Sequence, residues 1–153
     1  MIDEPHLAAS EEQLTAVVHV RVPRAQIAEV MEAAIHDVLA ALAAAGVAPA
    51  GPLISLHTAP PDDHFDFEVG FPVARAIAPT GRVKMSRLPA VRVARAIYRG
   101  DYAGLHGAWG GLMAWLAAER LAPAPLLWER YLRGPESGAD PATWTTEINR
   151  ALA

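Results

Sequence analysis

"AVRVARAIYRGDYAGLHGAWGGLMAWLAAERLAPAPLLWERYL", residues 90–132, runs through a strand, a turn, a helix and a second strand without a break. The stretch 90–98 is rich in Val, Ala, Ile and Tyr and reads as a strand. "RGD" at 99–101 is the turn, with Asp101 placed to cap a helix. Leu105, Trp109, Leu112, Met113 and Leu116 follow at helical spacing and form its apolar stripe. "LLWERYL" at 126–132 is the next strand, and after the loop "RGPESGADPA" the segment "TWTTEINRAL" supplies one more. The order is βαββ.

The first half repeats it. "TAVVHVRV" at 15–22 is a β-branched strand broken by Pro23, and Ile27, Val30, Met31, Ala34, Ile35, Val38 and Leu42 then mark an amphipathic helix closed by Gly46. "LISLHT" and "HFDFEVGF" follow as a pair separated by the turn residues "APPDD". "GPLISL" parallels "APLLWE", and "FEV" at 67–69 parallels "TEI" at 146–148. Two such units predict an α+β body: duplicated βαββ modules with pseudo-twofold symmetry, an antiparallel-rich sheet, two helices and a central ligand cleft. The modules run over about 15–75 and 88–152, joined by "ARAIAPTGRVKMSRLP"; residues 1–14 are expected as a flexible tail and 15–153 as one domain.

At 153 residues and 52% hydrophobic, the chain is long enough to bury one core and too short for two ordinary domains. The absence of cysteine removes disulfides, thiolate metal sites and cysteine nucleophiles, and fits a reducing, cytoplasmic location. "MIDEPHLAASEEQ" has no apolar core behind a basic start, so no secretion signal is expected. The long apolar helix carries Glu29, Glu32, His36 and Asp37, which excludes a membrane span. A net charge of −4 disfavours nucleic acid as a partner, although residues 82–99 hold Arg82, Lys84, Arg87, Arg92, Arg95 and Arg99 with no acid among them; a solvated strand face explains that run. The six His lack ligand spacing, so no metal and no cofactor is expected. "GAWGG" at 107–111 reads as close helix packing.

One residue breaks the pattern. Alternation puts Leu127, Glu129 and Tyr131 on one face of "LLWERYL" and Leu126, Trp128 and Leu132 on the other. A carboxylate between apolar and aromatic neighbours requires a partner, either a nearby Arg such as Arg130 or Arg133 or something arriving from outside. Alternation would turn Arg130 toward a helix-packed face. All four Trp and all three Tyr lie after residue 97, so the second module holds the rings. Rings around a carboxylate suit a flat cation.

The chain resembles the GyrI-like family, the effector-binding domain of AraC- and MerR-type multidrug regulators. The resemblance rests on "DFEVGFPV" at 66–73, "LPAVRVARAIYRGDYAGLHGAW" at 88–109, "WL" at 115–116, "WERYL" at 128–132 and "TTEI" at 145–148. It implies an aromatic cavity for lipophilic, often cationic molecules, with a buried Glu facing the bound cation; by position in "WERYL" that residue is Glu129. Tyr98, Trp109, Tyr131 and Trp144 are the expected ligand contacts, and Trp115 is assigned to packing. Glu68 and Glu147 occupy matching places in the two repeats and read as solvated.

Three functions are compatible with such a site. The first is binding: a drug or toxin sensor or scavenger, acting in transcription only through another protein, because no DNA-binding segment is expected in this chain. The second is hydrolysis, since some stand-alone GyrI-like proteins open the cyclopropane of alkylating natural products. Glu129 would then act as general base, with Tyr98 or Tyr131 donating to the developing oxyanion. The third is a protein partner, DNA gyrase or a regulator, and it ranks last because no exposed apolar stretch offers a dedicated interface.

Overall fold

The computed structural model describes residues 2–135, 138 and 140–153. In chain order the elements are β1 (His6–Ala9), β2 (Gln13–Pro23), α1 (Ile27–Ala45), β3 (Ile54–His57), β4 (His64–Pro72), β5 (Val83–Leu88), β6 (Arg92–Arg99), α2 (Leu105–Ala118), β7 (Pro123–Arg133) and β8 (Thr145–Leu152). The strands form one antiparallel sheet in the order β1-β6-β8-β7-β3-β4-β2-β5. Without its edge strands this order is a palindrome: β6-β8-β7 on one side mirrors β2-β4-β3 on the other, and the modules meet where β7 pairs with β3. The pseudo-twofold of the duplicated βαββ reading is therefore present in the sheet order itself.

Two segments depart from the expected organisation. Residues 6–9 belong to the sheet, with β1 paired to β6 from His6 opposite Arg95 to Ala9 opposite Arg92. The joining segment contributes β5, which pairs with β2 from Gln13 opposite Leu88 to Val18 opposite Val83. Neither segment carries a strong apolar alternation. Each is drawn into the sheet by the backbone of a neighbouring strand, and β5 also buries Val83 and Leu88 in the core.

Both helices lie on the same face of the sheet. Ala34, Val38 and Leu42 of α1 pack on Val18, Val20, Phe67 and Val69, while Ala108, Leu112 and Leu116 of α2 pack on Ala94, Ala96, Tyr98 and Ile148. The opposite face gathers Val17, Ile54, Leu56, Leu88, Val93 and Trp128 into a third apolar cluster. α1 ends as its sequence requires: Gly46 adopts φ 68°, a left-handed conformation natural to glycine, and its N–H reaches the carbonyls of Leu42 and Ala43. The approach to α2 begins at Asp101, whose carboxylate accepts the Gly104 N–H at 3.2 Å.

The glycines of α2 do not serve helix packing as a set. A Cβ at Gly107 or Gly110 would meet nothing within 4 Å, and only Gly111 has a close neighbour, Cδ1 of Ile2 at 3.1 Å. They lower helix propensity instead, by about 1 kcal/mol each relative to Ala.

The basic run 82–99 is balanced by acids from elsewhere in the chain. Arg82 pairs with Asp37 at 2.8 Å, Lys84 with Glu68 at 3.0 Å, Arg87 with Glu12, and Arg99 with Asp3 at 3.3 Å. Arg95 and Arg130 converge on Glu147, at 3.5 and 3.1 Å. Glu147 is thus 6% exposed and inside an ionic cluster rather than on a solvated face, because two guanidinium groups and the Asn149 amide supply its partners. Among the described residues, no helix is long and apolar enough to cross a membrane.

Candidate functional site

Glu129 stands at the junction of the two modules. It pairs in register with Ser55 of β3 on one side and Ile148 of β8 on the other. Side chains of register partners share a face, so Glu129, Ser55 and Tyr131 all point into the layer covered by the helices. Arg130 faces the other way, toward Glu147; the sequence expectation for Arg130 had the helix side reversed. Among the described residues, the hydrogen-bond partners of Glu129 are neutral donors rather than an Arg.

Glu129 is 8% exposed. The Trp109 indole N–H donates to Oε2 at 2.6 Å, the Tyr131 hydroxyl donates to Oε1 at 2.6 Å, and Ser55 Oγ stands 3.4 Å from Oε1. Ser55 and Tyr131 also share a hydrogen bond at 2.9 Å. Burial pushes the Glu129 carboxyl above its ordinary value of 4.5, while the donors Trp109, Tyr131 and Ser55 oppose that rise. The Tyr131 hydroxyl is pushed well above 10 by burial and by the adjacent carboxylate. Tyr131 therefore stays protonated and remains a donor. No cation pairs with Glu129 among the described residues.

An aromatic path leads from this carboxylate to the surface. The ring of Tyr102, 40% exposed, meets Tyr131 edge-on at 5.8 Å and lies 5.2 Å from Trp144. Trp144 is fixed by its N–H on the Gly138 carbonyl at 3.0 Å. The structure thus brings Trp109 and Tyr131 directly onto Glu129 and places Trp144 two rings away, through Tyr102.

Tyr98 is placed differently. It shares the helix-covered face, but its hydroxyl donates to the Asp101 carbonyl at 2.7 Å and packs against Gly100 and Gly104. It anchors the turn into α2 and is not brought to Glu129. Tyr98→Phe should therefore lower stability by about 1 kcal/mol in denaturant melts. Small-molecule affinity should be unchanged, and a loss of affinity larger than the loss of stability would make Tyr98 a ligand contact. Trp115 packs in the α2 core with Leu112 and Leu116.

Sequence reasoning passed over Ser55, Tyr102 and Thr146. Ser55 carried the same signal as Glu129, a polar residue within an apolar strand. Thr146, opposite Tyr131 in β8, is fully buried, and its hydroxyl has no partner among the described residues. His57, beyond Ser55 on the same strand, stacks on Phe67 at 4.8 Å, and burial lowers its pKa to about 4, so it is neutral. Asp62, Asp63 and His64 bring ligand atoms within 4.8 Å of one another on the turn before β4, but all three are exposed.

Residues 4–149 match the family described as the GyrI-like small molecule binding domain. No curated protein matches the chain. Among solved structures, the EcmrR C-terminal domain is similar at a TM-score of 0.83 and 20% identity, over 98% of this chain and 97% of that one. In the EcmrR–DNA complex the score is again 0.83 at 21% identity over 97% of this chain, which spans 57% of that EcmrR chain's length. SAV2435 bound to tetraphenylphosphonium follows at 0.72 and 11% identity, over 99% and 94% of the two chains. A hydrolase from Listeria innocua gives 0.64 and 14%, over 98% and 92%. At such identities the shared property is the fold.

Proposed function

Since this chain belongs to the GyrI-like small-molecule-binding family, we propose that it takes up a lipophilic aromatic cation and holds it on the Glu129 carboxylate. The observation that carries this reading is a buried carboxylate that no Lys or Arg pairs with among the described residues and whose hydrogen bonds come from uncharged donors. Such a group is costly to bury, and a ligand cation offers a charge partner that its described neighbours do not supply. Tyr131, Tyr102 and Trp144 supply ring faces along the approach, where cation–π contact adds to charge pairing. That SAV2435 binds tetraphenylphosphonium supports the same ligand class.

The carboxylate is covered, so uptake requires α2 to yield. Three of its fourteen residues are Gly, two of them directly after Trp109, which lowers the cost of local unwinding there. Trp109 is the contact that must be released. Trp109→Phe keeps a ring over the site and deletes the N–H that competes with the ligand. We expect it to bind a lipophilic cation such as tetraphenylphosphonium more tightly, by roughly fivefold, the equivalent of one lost hydrogen bond in the closed form. Isothermal titration measures it, and weaker binding would mean that the indole belongs to the bound state.

A second reading, hydrolysis with Glu129 as general base, draws on the same raised carboxyl pKa and on the Tyr131 hydroxyl as a donor. Here the two oxygens of Glu129 already accept hydrogen bonds, which leaves the binding role better supported. Incubation with cyclopropane-bearing alkylators followed by mass spectrometry separates the two. A water-added product formed over many turnovers, and lost in Glu129→Gln, would establish the hydrolase.

A further inference from the structure

The helix above the site covers two charges. Trp109 and Met113 are four residues apart, one turn along the same face of α2. The first donates to Glu129, and the second sets its sulfur 3.5 Å from Nη1 of Arg150. In the β7–β8 register Glu129 lies opposite Ile148 and Leu127 opposite Arg150. Arg150 is therefore on the same sheet face as Glu129, at the diagonal cross-strand position, with Cα atoms roughly 7–8 Å apart.

Arg150 is 8% exposed. Its Nε donates to the Ala124 carbonyl at 2.7 Å, which straps β8 to the irregular part of β7 between Pro123 and Leu127. That contact uses one of five N–H donors, and the Met113 thioether is only a weak acceptor for another. No carboxylate pairs with Arg150 among the described residues, whereas Arg95 and Arg130 both reach Glu147. A strap needs a donor, not a buried charge.

We propose that the site under α2 is bipolar, with Glu129 receiving the ligand's cationic centre and Arg150 a carboxylate of the same molecule. This rests on Glu129 as the ligand's counter-ion and adds a second point of recognition to it. The planar guanidinium fork matches a carboxylate, and the two charges under one helix select aromatic zwitterions whose charges are separated by a similar diagonal. Moving α2 uncovers both together.

A matched pair of probes tests it: a cationic rhodamine ethyl ester and its free acid, which is a zwitterion on the same ring system. Fluorescence anisotropy should show the wild-type protein binding the free acid about tenfold more tightly than the ester. In Arg150→Gln that ratio should fall to near unity. A purely structural Arg150 would weaken both probes together and leave the ratio alone. Equal affinities in the wild type, or a ratio that survives Arg150→Gln, would overturn the proposal; the wild-type ratio decides even if the variant does not fold. Ester binding that is lost in Glu129→Gln with no gain from the acid defeats the bipolar site alone. Failure of both probes to bind defeats the Glu129 reading and this one with it.

Discussion

Glu129→Gln should lose about 1–3 kcal/mol of affinity for lipophilic cations, the scale of a charged partner removed from a buried site. Neutral analogues of the same shape should bind as before. The substitution keeps the size of the side chain and one oxygen to accept from Trp109 or Tyr131, so the ring lining is preserved and the charge is what changes. Titration of both ligand classes into both proteins decides the matter, and an equal loss for the two classes would remove charge pairing from the account.

The same group sets a pH dependence. The folded-state carboxyl titrates above its ordinary 4.5 because it is buried. As pH rises past that ordinary value the unfolded chain releases its proton first, so the folded protein holds the excess proton and loses stability until Glu129 ionises in the fold as well. Glu129→Gln lacks this group, and its melting temperature relative to wild type should rise with pH across that window. Cation affinity should run in the opposite sense, increasing with pH through the folded-state pKa and levelling above it. A flat affinity profile from acid to neutral pH would mean that the carboxylate is not the counter-ion.

Gly70→Ala is expected to have the largest effect on stability. Gly70 sits in β4 opposite Val17 of β2 and Ile54 of β3. An added Cβ there would lie 1.9 Å from the Ala16 carbonyl oxygen and 2.8 Å from the Val17 Cα, both backbone atoms of a central strand. No rotamer relieves that overlap, so β2 and β4 must separate in the middle of the first module. A loss of more than about 4 kcal/mol is expected, enough to unfold a marginal domain. Gly110→Ala provides the contrast: its Cβ meets nothing within 4 Å, and helix propensity favours Ala by about 1 kcal/mol. Chemical denaturation of the pair should move the midpoints in opposite directions; a Gly70→Ala midpoint close to wild type would show that the β2–β4 approach is looser than described.

The sequence by itself determined the two βαββ units, the α+β class and the identity of the conspicuous acid. Those depend on local properties: strand alternation, the helical stripe from Leu105 to Leu116, the cap at Asp101 and the stop at Gly46. A carboxylate inside "LLWERYL" was visible for the same reason, since one residue violated a local pattern. Tertiary structure decided everything that required two distant segments to meet. β1 and β5 are strands because β6 and β2 offer them unpaired backbone, and their own side chains do not announce it. The face of the sheet on which the helices lie turned Arg130 away from Glu129 and onto Glu147, and drew Ser55, 74 residues away, onto the carboxylate. Whether Glu129 met an Arg, a solvent surface or an indole depended on strand order and helix placement, which set its desolvation and so its chemistry.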